Sequence, residues 1–415
     1  MNTSTFRPGA ADGRRAALVC VAALLALAVA MGVGRFAFTP LFPLMVRDRL
    51  LDSQAGAWLA AANYLGYLVG ALTAGRVRVK PAALLGLGLA GTVLATAAVG
   101  WTASLAPWAL LRFLAGVMSA WVLVAVSAWG LGWLAALGRA HLAGLAFSGV
   151  GLGIAAAGLF CMLAAGPGRS SLALWVDLAG LAAIAVLLPL AVSRRLPTPP
   201  APADVAVAVD ARPAQASASA PARAPTGTGA LTVCYTLFGF GYILPATYLP
   251  ALARQLVDDP QVFGLAWPLF GAAAAISTVL ASWRLGRANR LAVWACCHGV
   301  MALGVLLPAV WTSLASVSIA ALLVGGTFMV ITMVGMQEVR ARAQGQATRL
   351  LARMTAGFAL GQLAGPLVNA GIERVVSSQA AALHLALSLS AAGLLASSVY
   401  LWLAQPHLIL SKGNP

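Results

Sequence analysis

Residues 16–46 read AALVCVAALLALAVAMGVGRFAFTPLFPLMV, and they decide the fold class. One formal charge, Arg35, interrupts them. A helix needs about 20 apolar residues to cross the hydrocarbon core of a bilayer, and this stretch exceeds that. Eleven runs of similar character follow, at 54–75, 82–101, 106–133, 142–165, 172–193, 230–253, 262–282, 291–310, 313–335, 350–372 and 380–404. The chain as a whole has 415 residues, 61% hydrophobic and 9% charged, against roughly 45–50% and about 25% in soluble domains. So apolar a chain cannot cover its surface with polar groups in water. Lipid leaves no partner for free backbone groups, and runs of helical length do not suit barrel strands, so each run should be a helix. The expected class is an all-α polytopic membrane protein with twelve transmembrane helices in two six-helix pseudo-symmetric halves, embedded in a lipid bilayer.

The runs divide as six, a break, then six. The break, 194–229, contains Pro197, Pro199, Pro200, Pro202, Pro213, Pro221 and Pro225 amid alanine and serine, a composition that buries little and reads as a flexible linker. The expected organisation is a tail at 1–15, a six-helix bundle at 16–193, the linker at 194–229, a second bundle at 230–404 and a tail at 405–415. Arg14-Arg15, an apolar run and Ala28-Val29-Ala30 resemble a secretory signal. The apolar sequence continues to Val46, however, and the segment is expected to stay uncleaved.

The net charge of +16 would suggest nucleic acid in a soluble chain. Here the 26 Lys and Arg are divided among short loops. With a cytoplasmic N-terminus, nineteen fall on that side and five (Arg47, Arg49, Arg169, Arg254 and Arg374) on the other, while Arg35 and Arg112 lie within runs. This is the positive-inside bias with both termini cytoplasmic, and it removes the nucleic-acid reading. The five cysteines all sit in apolar runs without a CxxC, so neither a metal site nor a disulfide framework is indicated.

The two halves match at an offset of 207–208 residues. Gly32-Val-Gly34-Arg35 corresponds to Gly239-Phe-Gly241-Tyr242, Pro43 to Pro250, Gly56 to Gly264, and Gly149 and Gly153 to Gly357 and Gly361. Two halves in the same orientation form a parallel repeat, and transporters of this kind hold substrate near the midplane between them. Gly357, Gly361 and Gly365 share one helix face, as do Gly149 and Gly153. Small residues at that spacing admit close helix approach; they serve either static packing or rocking of the halves.

The sequence resembles the major facilitator superfamily. Arg112-Phe-Leu-Ala-Gly116-Val-Met-Ser-Ala resembles the motif of its fourth span, and GALTAGRVRVK (70–80) the motif of its loop between spans 2 and 3, although Ala74 stands where the family usually has Asp. GVGRFAFTPLFPLM (32–45) and QAGAWLAAANYLGYLVGAL (54–72) are similar to the YbfB/YjiJ-type branch. The resemblance implies the major facilitator fold, residence in a bacterial inner membrane, a monomer, a small-molecule substrate, and spans 1, 4, 7 and 10 around a central cavity.

Arg35 is the most informative residue. Eleven residues separate it from Arg47, so helical rise puts it ~18 Å from that end, too far to snorkel. A charge near the bilayer centre costs about 2.5–3.5 kcal/mol even on insertion scales, so it should face a cavity or a polar partner such as Asn63. Arg112 lies ~8 Å into its run, and the family motif places it in the cavity wall. With Asn63, Tyr64 and Tyr242 these form the candidate substrate site. One-sided positive charge favours an anionic group, such as a carboxylate, which the planar guanidinium fork binds in bidentate fashion. Candidates for proton coupling are Asp177, His298 and Glu338, each with a structural alternative: pairing of Asp177 with Arg169, hydrogen-bonded packing of His298, and a loop ion pair for Glu338. Trp101, Trp108 and Trp133 read as interfacial anchors, and Gln362 and Asn369 as helix contacts.

The leading function is a secondary transporter of a small organic anion; a proton-coupled exporter of amphipathic compounds is the rival. A membrane enzyme would need clustered His, Asp or Cys, and no such motif is present. No ATP-binding loop occurs, so transport should run on a gradient without a cofactor. A receptor or scaffold would carry a soluble domain that the short tails do not hold.

Overall fold

The computed structural model describes residues 10–166, 168–199, 227–256, 265–343, 346–376 and 378–405. The expected linker lies outside the described residues over 200–226, as do 1–9 and 406–415 of the tails. Among the described residues every regular element is helical. The first apolar run is not one uniform helix. It comprises α1 (Ala10–Leu27), a π-helical segment (Ala28–Phe36) and α2 (Phe38–Arg47). Then come α3 (Ser53–Ala74), α4 (Pro81–Val99), α5 (Leu105–Ala136), α6 (Ala143–Ala164), α7 (Ser171–Ala185) and α8 (Leu187–Arg195). The C-terminal set has α9 (Thr228–Leu256), α10 (Ala266–Arg284), α11 (Arg290–Val310), α12 (Leu314–Arg342), α13 (Ala347–Glu373) and α14 (Gln379–Leu403).

Local chemistry sets the boundaries. Asp52, Ser170 and Asn289 accept N-cap hydrogen bonds from Ala55, Ala173 and Leu291, and Ser313 and Ser316 form a reciprocal capping box at α12; these satisfy backbone donors that a helix start leaves free. Leu94, Leu163, Ile184 and Leu303 stand exposed around the outside, as lipid contact requires. Trp101 is exposed as expected of an anchor, but Trp108 is buried and donates its Nε1 hydrogen to the Val99 carbonyl.

Ten helical segments among the described residues are long and apolar enough to cross a bilayer, which makes this a multi-pass membrane protein. The two other long helices, α10 and α13, pack between the N-terminal and C-terminal sets, α10 against α6 and α13 against α3. Thr278, Ser282, Gln362 and Asn369 on these helices are buried against neighbours.

The glycine faces do pack helices closely, but inside each set. A Cβ at Gly153 would stand 2.8 Å from Ala28 Cα, and one at Gly149 the same distance from Leu24 Cα. Gly361 sits equally close to Phe240 on α9, Gly357 to Thr236 and Gly365 to Ile243. The seam between the sets uses other residues. Gly144, Gly151 and Gly158 on α6 meet Thr278 and Ser282, Gly271 and Ala275, and Pro268 on α10. Spacing by seven keeps these glycines on one face, where the four-residue spacing of Gly149 and Gly153 defines a different one.

Candidate functional site

The π-helical segment sets the geometry of the centre. Its wider turn displaces carbonyls from the ordinary i→i+4 ladder, and such segments cluster at functional sites. α5 supplies donors to them. Ser119 Oγ donates to the Ala30 carbonyl at 2.7 Å, and Arg112 donates through Nη1 to Gly34 O and through Nη2 to Arg35 O, each at 2.9 Å. Asn63 Nδ2 in turn donates to the Arg112 carbonyl at 2.8 Å, tying α3 to α5. The Arg112 guanidinium also lies 4.8 Å from the Phe38 ring centroid. Arg112 and Asn63, two of the five residues expected at the substrate, are therefore engaged with backbone.

Arg35 lies in the last turn of the π-helical segment and is 2% exposed. Its Nη2 donates to Gln362 Oε1 on α13, across the boundary between the sets. Its guanidinium lies 3.8 Å from the Tyr67 ring centroid, with Phe36, Tyr64 and Phe358 between 5.3 and 6.0 Å. Cation–π contact of this kind offsets part of the cost of burial. Nε and Nη1 make no hydrogen bond, and neither does Gln362 Nε2. Donors from both sets are thus left unpartnered, with the Tyr67 hydroxyl and Asn63 Oδ1 as the unpartnered oxygens nearby.

The opposite wall is aromatic. Tyr242 is fully buried, stacked on Phe328 at 4.4 Å between centroids, with its hydroxyl unpartnered. Phe358 lies 4.8 Å from Phe238 and 5.6 Å from Tyr235. A narrow gap with room for about one water molecule is lined by Met31 and Tyr67 from one set and Tyr235, Phe328, Met329 and Phe358 from the other.

The other candidates lie away from this centre. Asp177 on α7 pairs with Arg169. Glu338, near the end of α12, pairs with Arg342 at 2.7 Å and Arg290 at 3.5 Å. His298 is locked between α11 and α14, accepting at Nε2 from Trp294 at 2.8 Å and bonding Ser397 through Nδ1 at 2.9 Å. None of the three faces Arg35. Sequence reasoning missed the part played by Gln362 and Phe358. They are one helical turn apart on α13, and the signal available was an amide amid small residues on the face that also carries Gly365.

At the end where α1 begins, Arg340 of α12 reaches the Ala128 carbonyl of α5 at 2.9 Å, and Ser282 reaches the His141 carbonyl at 2.6 Å. Beyond Arg35, Phe36 meets Trp267 at 6.2 Å. The centre is enclosed from both directions.

No curated protein sequence matches the chain significantly. Among solved structures it is similar to the human organic anion transporter MFSD10 (TETRAN), with a TM-score of 0.66 at 15% identity over 94% of this chain and 99% of that one. A likeness at that identity speaks for the fold. The family described as "Uncharacterised MFS-type transporter YbfB" matches residues 27–401, so the chain belongs to that family of major facilitator transporters.

Proposed function

We propose that this protein is a secondary transporter of small organic anions, with a carboxylate as the recognised group and Arg35 as the charge that binds it. The observation that carries the reading is the Arg35 guanidinium, buried between the two sets with Nε and Nη1 unpartnered and no carboxylate beside it among the described residues. Gln362 occupies one donor and has its own buried N–H₂ unpartnered. A carboxylate there would gain charge-assisted hydrogen bonds worth about 1.5–3 kcal/mol each. That the structural neighbour's name states organic anion transport agrees with this choice.

In this reading twelve helices cross the bacterial inner membrane as two six-helix halves, and the monomer works by alternating access. Both termini and 194–229 face the cytoplasm. The Arg340 and Ser282 contacts then close the cytoplasmic side and Phe36 with Trp267 the outer side. Reporter fusions at Ala214 and at the C-terminus should both read inside; an outside signal at either refutes the topology.

The decisive experiment is counterflow in proteoliposomes, with size-exclusion behaviour as the folding control. Arg35→Gln should abolish anion transport in a folded, inserted protein. Arg35→Lys keeps the charge and loses the planar fork, so affinity should fall roughly tenfold to a hundredfold. Normal transport by Arg35→Gln refutes the reading. The aromatic wall favours one rival, export of amphipathic compounds, which predicts that hydrophobic cations compete at least as well as acids.

A further inference from the structure

Resting on the anion reading above, we infer that the substrate class is an aromatic monocarboxylate, one negative group joined to one planar ring. The count of available charge sets the first half of this. Of the two guanidiniums buried at the centre, Arg112 spends Nη1 and Nη2 on the Gly34 and Arg35 carbonyls. Only Arg35 has more than one donor group to give, and Gln362 adds an uncharged one. A second carboxylate, or the double charge of a phosphate, would have to draw on Arg112, whose Nη1 and Nη2 are already held by backbone carbonyls, and pulling them away would leave those buried carbonyls unmet.

The second half comes from the surface next to that charge. Tyr67 and Phe358 touch both features: each lies within 6.0 Å of the Arg35 guanidinium, and each lines the adjoining gap. The two rings meet edge to face at 6.4 Å across the boundary between the sets. Tyr235 and Phe328 continue the wall, with Met31 and Met329 as thioether contacts, a side chain that packs well on aromatic edges. Polar groups on this wall are few, and Thr332 commits its hydroxyl to the Phe328 carbonyl at 3.0 Å. The other hydroxyls on the wall are those of Tyr67, which is unpartnered, and Tyr235, and two phenols would leave most of a sugar acid's hydroxyls unmet. A flat ring instead replaces ring–ring contacts with equivalent ones at the 4.5–7 Å separations that aromatic pairs prefer. In the enclosed form the gap is too small for such a ring, and Tyr67 and Phe358 pack on each other until the sets part.

The test uses the purified full-length chain, reading thermal shift and counterflow with benzoate, cyclohexanecarboxylate, acetate, succinate, gluconate and benzylamine. Benzoate should bind at least tenfold tighter than acetate, succinate or gluconate, and measurably tighter than cyclohexanecarboxylate. Phe358→Ala should weaken benzoate about three- to tenfold more than it weakens acetate. Phe358→Leu, which keeps the packing volume, should show the same loss of ring preference. If succinate, gluconate or cyclohexanecarboxylate binds as well as benzoate, this inference fails while the anion reading stands. An equal loss for every acid in both Phe358 variants also overturns it. If benzylamine binds best, or no acid binds, the anion reading falls with it.

Discussion

Arg35 and Arg112 are 77 residues apart in sequence and meet at one backbone carbonyl, yet they embody opposite uses of a buried charge. Arg112 directs two of its nitrogens at fixed carbonyls of the π-helical segment and is held by Asn63 from behind. Arg35, displaced by that same segment toward the boundary between the sets, has one amide partner, a ring beneath it and two idle donors. One arginine satisfies the break in the first span; the other is what the break presents. Depth alone does not separate these roles, since both side chains are under 5% exposed. The partners do.

The largest effect that tests this contrast is on stability. Arg112→Leu leaves the Gly34 and Arg35 carbonyls without their donors, and each unmet buried group costs about 1–3 kcal/mol, so a loss of about 2–6 kcal/mol is expected. Arg35→Gln keeps an amide that can bond Gln362, and should stay within about 1 kcal/mol of the parent. Unfolding of the purified proteins in detergent measures both. Equal losses in the two variants would break the comparison, because Arg35 would then be structural too.

A second test approaches the π-helical segment from its other side. Gly153 lies against Ala28 and Gly32, where α6 backbone touches the start of the segment. Gly153→Leu should cost a few kcal/mol by forcing the helices apart, and transport should fall with the yield of folded protein. At Gly180 a Cβ would meet nothing within 4 Å, so Gly180→Leu should be within ~0.5 kcal/mol of the parent. Tolerance at Gly153 would show that the segment is placed by the donors of α5 and not by its packing on α6.

Much of this fold was readable from composition, because bilayer thickness sets run length and the proline-rich interval breaks the pattern. The depth of Arg35 was readable for the same reason. The role of Arg112 was not: its partners are carbonyls, which carry no letter in the sequence, and they become acceptors only where the first span leaves the α-helical ladder. The seam of Gly144, Gly151 and Gly158 escaped because glycines four apart draw the eye to one face while those seven apart mark another. Gln362 was visible as a polar residue, but that it meets Arg35 depends on how the two sets abut.

Ser119→Ala offers a finer measure of how the segment is held. The hydroxyl has one proton to share between Ala30 O and Ala115 O, and the second is the ordinary back-bond a helical serine makes to its own helix. Only the first is lost to the segment, so about 0.5–1.5 kcal/mol is expected in the same unfolding assay. A loss as large as that of Arg112→Leu would shift the role of principal support from the arginine to the serine.

The smallest effect should come from Asp177→Asn, and it matters because of what Arg35 lacks. If an acidic group coupled protons to transport, Asp177 would be the candidate carried on a span, and the uncompensated charge at Arg35 would have a distant partner. The structure pairs it instead with Arg169, with both side chains more than a third exposed. Pairs that open contribute about 0–1 kcal/mol, so the stability change should lie within that range. Counterflow rate and its dependence on an imposed proton gradient should match the parent, since neither group touches the centre. A variant that folds normally but loses gradient-driven uptake while keeping counterflow would place Asp177 in coupling. The contrast between Arg35 and Arg112 would then describe binding alone, with the energy of transport entering from the edge of the bundle.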